Sequence, residues 1–277
     1  MIGNLHETNT ECLIPGKMKQ KILILGLVLT FIVSSSFNGA EENVFDLVVI
    51  DAGHGGNDPG CNGGTSKEKE VTLAIALKLG KLIEDSLKGV KVIYTRKTDK
   101  FIELSERSNI ANKNNADLFI SIHCNANDNK EASGTETYVM GLHKTESQLQ
   151  VSKRENSVIK LEKDYENNKS YGEFDPNSNE AYIIFSLIQN AYMTQSQKFA
   201  AQVESEFKKN TPLKSRGVKQ AGFLVLWKST MPGVLIETGF LTNENDRKVL
   251  AKDSSQNVMA KSIFNAVKKY KQGTTKK

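Results

Sequence analysis

With 277 residues, 38% hydrophobic and 25% charged, the chain can bury one good core of ordinary globular composition and still have length over for a terminal segment or an insertion. The 37 basic residues exceed the 32 acidic ones by a formal +5, which suits an acidic polymer as partner without demanding one. Basic residues are spread along helical-looking stretches rather than interleaved with aromatics, which argues against a nucleic-acid binder.

The N-terminal part reads as an export signal. Lys19 and Lys21 precede an uncharged run from Ile22 to Val33, and small and polar residues follow from Ser34 to Ala40, the region order of a secretory signal peptide. The run is short for a membrane span, so export is expected, and membrane attachment would come only through an uncleaved signal segment. Neither Ser36 nor Ala40 satisfies the small-x-small rule well enough to fix the cleavage position. Residues 1–17 read as an upstream start-site extension, 18–40 as the signal, 41–271 as one catalytic domain and 272–277 as a basic, disordered tail. Of the three cysteines, Cys12 goes with the signal. Cys61 and Cys124 could pair across a crevice in an oxidising compartment, although two unpaired small residues are the commoner outcome.

In chain order, residues 46–51 read as a strand and Glu70–Leu87 as a helix with one apolar face. Val90–Tyr94 reads as a strand, Leu104–Asn114 as a helix, and Asp117–Ile122 and Thr135–Met140 as two more strands. Residues 144 to about 180 are charged and poor in large apolar side chains, too long for a simple connection inside a compact sheet. They are expected to be an insertion (about 142–178), too polar for the core, partly helical and mobile. A helix from about 180 to 209, strand-like runs at Phe223–Trp227 and Val234–Glu237, and a closing helix from about 254 to 270 complete the reading. The alternation predicts a parallel or mostly parallel sheet with helices on both sides.

Two histidines stand where buried strands should open into loops. His54 follows the Leu47–Ile50 run through Asp51, Ala52 and Gly53, and His123 ends Asp117–Ile122. The carboxyl ends of such strands are where open α/β sheets bind ligands, so both imidazoles should face one crevice. A nearby carboxylate would complete a zinc site that keeps a fourth position for water. Glu68 and Glu70, at the start of the first helix, are the candidates, although an acid there also suits the helix dipole. Glu237, closing the last strand, is placed to take a proton from water and pass one to a leaving amine. The loop glycines match neither GxGxxG nor GxxxxGK[ST], so no phosphate-binding loop is read.

The stretches VVIDAGHGGNDPG, KEKEVTLAIALKL, VIYTRKTDKFIELSERSNIANKNNADLFISIHCNAN, GTETYV, RGVKQAGFLVLW and MPGVLIETGFLTNENDRKVL resemble the zinc-dependent N-acetylmuramoyl-L-alanine amidases of bacterial cell walls, in the family's order. The resemblance implies a single α/β domain around a six-stranded twisted sheet and hydrolysis of the amide between muramic acid and L-alanine in peptidoglycan. It implies zinc ligands at His54, Glu68 and His123, a catalytic Glu237, and favours Glu68 over Glu70. Cys124 departs from the small residue usual at that position. Some members carry an insertion after the GTETY strand that covers the site until a protein activator removes it, and Leu142 to about Ser178 stands at that position. Its acids Glu155, Glu162 and Glu166 could reach the zinc, though at helical spacing such residues more often form a solvated face. His143, at its root, is a loop histidine or a substrate contact.

Arg96 and Arg107 belong to the family pattern and are left outside the site, with buried ion pairs to Asp99 or Glu106 as their alternative to substrate contact. Retention of all four inferred positions argues against a catalytically dead wall-binding protein. A zinc peptidase or deacetylase of another amide shares the ligands and is set aside only by the breadth of the resemblance. The expected compartment is the periplasm, with the extracellular space as the alternative.

Overall fold

The computed structural model describes residues 45–274 apart from 65, 164–170, 172–177, 181–182 and 184–191. The signal reading, Glu166 and the last three tail residues lie outside the described residues.

Six strands, β1 (Leu47–Ala52), β2 (Lys91–Tyr94), β3 (Leu118–Asn125), β4 (Thr135–Met140), β5 (Ser215–Ala221) and β6 (Gly233–Phe240), form one sheet in the order β2-β1-β3-β6-β4-β5. All neighbouring pairs are parallel except β4 against β6. β1, β3 and β6 are buried along their whole length, as near-continuous apolar runs require when both faces are covered. One face carries α1 (Glu68–Ser86), α4 (Met193–Asn210) and α6 (Asp253–Thr274). Val71, Ile75, Leu79 and Ile83 of α1 recur every fourth residue and meet Val48, Ile50 and Ile120 of the sheet. The other face carries α2 (Leu104–Lys113), α3 (Glu146–Asn156) and two short 3₁₀ turns, Ser157–Leu161 and Leu224–Leu226, while α5 (Glu244–Leu250) follows β6. The chain leaves β1 towards β2 on one side and returns to β3 on the other, so the strand order reverses at the carboxyl ends of β1 and β3.

The structure corrects three expectations. Phe223–Trp227 is not a strand: Leu224–Leu226 form a buried 3₁₀ turn, held by Asn156, whose amide donates to the Gly222 carbonyl (2.7 Å) and whose Oδ1 accepts from Leu224 N (2.8 Å). The fifth strand is Ser215–Ala221, half exposed at the sheet edge, where only one face needs apolar residues and the sequence signal is correspondingly weak. The third correction concerns the inserted segment, which is not too polar for the core. α3 buries Leu149 and Val151, and Val151, Val158, Ile159 and Tyr171 join the core on this face of the sheet.

Candidate active site

His54 lies two residues beyond β1 in the left-handed conformation (φ 62°), which a side chain adopts only where its surroundings hold it. The Arg107 guanidinium donates to the His54 carbonyl (3.0 Å) and the Ala52 carbonyl (2.9 Å), and Arg96 donates to the carbonyls of Ala52 (2.9 Å) and Gly53 (2.7 Å). Gly53 leaves room for the His123 ring, which a Cβ there would meet at 2.5 Å. His123 sits within β3, which runs on to Asn125 through a register shift. The helical start brings in Glu68 and leaves Glu70 exposed on α1.

His54 Nε2 lies 3.0 Å from Glu68 Oε1 and 3.2 Å from Glu155 Oε2, while His123 Nδ1 lies 3.3 Å and 2.9 Å from the same two oxygens. Ligands about 2.0–2.1 Å from a tetrahedral metal would lie about 3.3 Å from one another, close to these separations. His54 Nε2, His123 Nδ1 and Glu155 Oε2 are buried and have no hydrogen-bond partner, so the donor atoms converge on a point that no protein hydrogen fills. The four side chains are thus compatible with a bound metal ion.

Each opposite edge is held. His54 Nδ1 lies 2.7 Å from Asp58 Oδ2, and His123 Nε2 lies 3.1 Å from Ser121 Oγ, which donates to Asp51 Oδ2 (2.7 Å). Asp51 is in turn paired with Arg107 (2.9 Å) and accepts from Thr95 (2.6 Å). Arg107 therefore pairs with Asp51, not with Asp99 or Glu106, which reach Lys69 and Lys113. Glu68 accepts from the backbone amides of Cys61 and Cys124, both 2.8 Å away. Both cysteines are free thiols, and Cys61 donates to the Cys124 carbonyl.

The electrostatics follow from this crowding. Burial pulls the His54 imidazole down, but the Glu68 carboxylate and the Asp58 hydrogen bond hold it well above its usual range. His123 is likewise opposed by burial and pushed up to about 9 by the Glu155 carboxylate. Against burial, His54 holds Glu68 below the usual carboxylate range, and His123 does the same for Glu155. Glu237 behaves differently. It pairs in register with His123, is fully buried, has no hydrogen-bond partner on either oxygen, and is pushed well up by burial and by the charge of Glu155.

Glu155 and Arg154 are the residues that sequence reasoning undervalued. The stripe Val151, Val158 and Ile159 passes through position 155, so the signal that Glu155 points inward was present. Arg154 donates to Glu155 Oε1 (3.0 Å), the Ala126 carbonyl (2.9 Å) and Asn125 Oδ1 (3.0 Å), and lies 3.7 Å from Glu237 Oε1. Glu162 instead accepts from Leu104 N (2.7 Å) and from Tyr171 OH, closing the start of α2. His143 is half-buried and stands outside the four-residue cluster.

Comparison with known proteins places the chain. AmiA of Escherichia coli K12, an N-acetylmuramoyl-L-alanine amidase, is 32% identical over 81% of this chain and 75% of its own length. Among solved structures, the amidase AmiC2 of Nostoc punctiforme superposes with a TM-score of 0.58 at 31% identity, over 84% of this chain and 99% of that one. The CwlD amidase of Clostridioides difficile, solved in complex with the GerS lipoprotein, gives a TM-score of 0.58 at 27% identity, over 81% and 98%. With residues 48–269 matching its family model as well, the chain belongs to the N-acetylmuramoyl-L-alanine amidase family (Amidase_3).

Proposed function

We propose that the protein is a zinc-dependent amidase that cleaves the bond between N-acetylmuramic acid and L-alanine in peptidoglycan, with His54, Glu68 and His123 as zinc ligands and Glu237 as general base and acid. The observation that carries the reading is the convergence of buried His54 Nε2 and His123 Nδ1, neither with a hydrogen-bond partner, on the Glu68 carboxylate, beside a Glu237 that also accepts no hydrogen bond. Zinc, when bound, supplies Lewis acidity towards the amide carbonyl and makes water a stronger acid. Glu237 takes a proton from the attacking water and delivers it to the amide nitrogen. The Asp58 and Ser121–Asp51 contacts keep the two imidazoles turned towards the cluster.

The reading extends to regulation and place. Glu155 occupies the fourth position of the cluster, where a substrate oxygen or water would go, and this supports the segment 142–178 as a cover that a protein activator displaces. The CwlD complex with a lipoprotein is consistent with such a partner. Cell-wall remodelling and daughter-cell separation, after export to the periplasm by the 18–40 signal, form the physiological part of the proposal.

Zinc content of the purified protein, together with mass analysis of fragments released from peptidoglycan, tests the reaction. Stem peptides with a free L-alanine amine are the expected product. Glu237→Gln should keep zinc and lose at least roughly 100-fold in rate. Release of a different fragment, or near-normal turnover by that variant, removes the reading.

A further inference from the structure

The polar groups that hold Arg154 are not accounted for by the reaction as described. Asn125 is fully buried at the end of β3, and its orientation is determined on both sides. Its Nδ2 donates to Glu136 Oε2 (3.0 Å), which leaves Oδ1 to accept from Ala126 N (2.8 Å) and from Arg154 (3.0 Å). Glu136 is itself fixed by Tyr138 OH (2.7 Å) and by Arg216 Nε (2.6 Å). It stands directly across the β4–β6 register from Glu237. Asn125 Oδ1, the Ala126 carbonyl and Glu237 therefore present three acceptors to one spot, and the cover fills it with two N–H groups of a cation, at 3.0, 2.9 and 3.7 Å. Acceptors gathered in this way favour a ligand that brings more than one N–H and positive charge.

We infer that Asn125 Oδ1 and the Ala126 carbonyl form the amine-side pocket of the site, accepting hydrogen bonds from the scissile nitrogen as it is protonated and leaves, and that the Arg154 guanidinium imitates this nitrogen in the covered state. The inference rests on the amidase reading above. Water adds to the amide carbon and gives its proton to the Glu237 carboxylate, which passes it to the nitrogen. Before protonation the nitrogen carries one hydrogen; afterwards it carries two and a positive charge, one hydrogen for each acceptor. The C–N bond then breaks with its electron pair going to nitrogen. The free L-alanine amine takes up a proton from solvent as the new carboxylic acid loses one. Both acceptors are engaged only at that stage, so they favour the transition state over the bound substrate.

The test compares two muramyl substrates, one with L-alanine and one with L-lactate in its place, so that an oxygen is the leaving atom. The oxygen brings at most one hydrogen where the nitrogen brings two. Opening of the cover multiplies both rates alike and cancels in their ratio. In the zinc-loaded full chain, Asn125→Ala should lower the amide-to-ester ratio of kcat/KM by roughly tenfold or more, from loss of a hydrogen bond to a charged donor. Asn125→Asp, which retains Oδ1, should keep the ratio near that of the wild type. If the alanine variant is unfolded, Asn125→Leu, which fills nearly the same volume without Oδ1 while Tyr138 and Arg216 still hold Glu136, carries the test. A parallel fall on both substrates, with the ratio unchanged, overturns the inference and makes Asn125 a scaffold or a latch for Arg154, while leaving the amidase reading intact. Zinc-loaded protein that cleaves neither substrate even with the cover weakened by Glu155→Ala overturns both.

Discussion

Glu155→Ala is the perturbation that bears most directly on the cover. Glu155 Oε2 lies 2.9 Å from His123 Nδ1 and 3.2 Å from His54 Nε2, and its Oε1 accepts from Arg154 at 3.0 Å, with Glu155 and both imidazoles buried and Arg154 half-buried. The Arg154–Glu155 hydrogen bond between charged groups contributes about 1.5–3 kcal/mol, and the Glu155 oxygen at the fourth position adds to it, while burying a carboxylate costs part of that back. A net loss of about 2 kcal/mol from the covered state alone raises the open-to-covered ratio roughly 30-fold. The variant keeps His54, Glu68 and His123, so zinc content should be retained and a fourth position opened. Basal release of dye from labelled peptidoglycan, at matched zinc content and without added partner, should rise by roughly 10- to 30-fold. A folded, zinc-loaded Glu155→Ala protein with an unchanged or lower basal rate would refute the cover, and the segment would then be a substrate-binding or docking surface.

The remaining predictions concern the residues around this point. Glu68→Ala should lose zinc by metal analysis whereas Glu70→Ala, altering an exposed side chain, should retain it, and the reverse pattern would reassign the ligand. Arg107→Leu leaves the buried Asp51 carboxylate without its cation and should cost about 3–5 kcal/mol. That corresponds to a drop in Tm of roughly 6–20 °C, and a change under about 2 °C would show that Asp51 is satisfied without Arg107. Glu204 is buried among the hydroxyls of Thr135, Thr137 and Ser215, and burial raises its carboxyl above the usual 4.5. The folded state therefore keeps a proton that the unfolded chain gives up, and this contribution is fully present below about pH 4.5 and lost as pH rises through the folded pKa. Glu204→Gln should thus gain in Tm relative to the wild type between pH 4 and pH 7, and a difference flat in pH over that range would contradict the assignment.

The central strands were legible because burial on both faces demands near-continuous apolar runs, which Leu47–Ile50, Leu118–Ile120 and Val234–Ile236 are. β5 was not, because an edge strand with the sequence SRGVKQA satisfies its backbone on one side only and carries little apolar pattern. Leu224–Leu226 was misread for the complementary reason: a short buried apolar run looks the same in a strand as in a turn, and the arbiter is Asn156, distant in sequence, which satisfies the turn's backbone. The positions of His54 and His123 at the carboxyl ends of adjacent parallel strands could be read from the strands alone. Their supports could not. Asp51 and Ser121 sit inside apolar runs, where a polar residue shows that something is being satisfied but not what.

The dipeptide Arg154–Glu155 gives the proposed cover its character, because Arg154 lies on Asn125 and Ala126 while Glu155 lies on the two histidines. A partner that opens it must separate opposite charges, and lifting α3 with the 3₁₀ turn after it also uncovers Val151, Val158 and Ile159, which are at most 7% exposed. Full exposure of such side chains costs about 1.5–3 kcal/mol each, more than the charged contacts contribute net. Removing Glu155 should therefore raise basal activity without reaching the activated rate. The larger part of the opening energy is apolar, so an activator that succeeds has to offer an apolar surface of its own to the freed stripe, and charge reversal at Arg154 or Glu155 alone should not replace it.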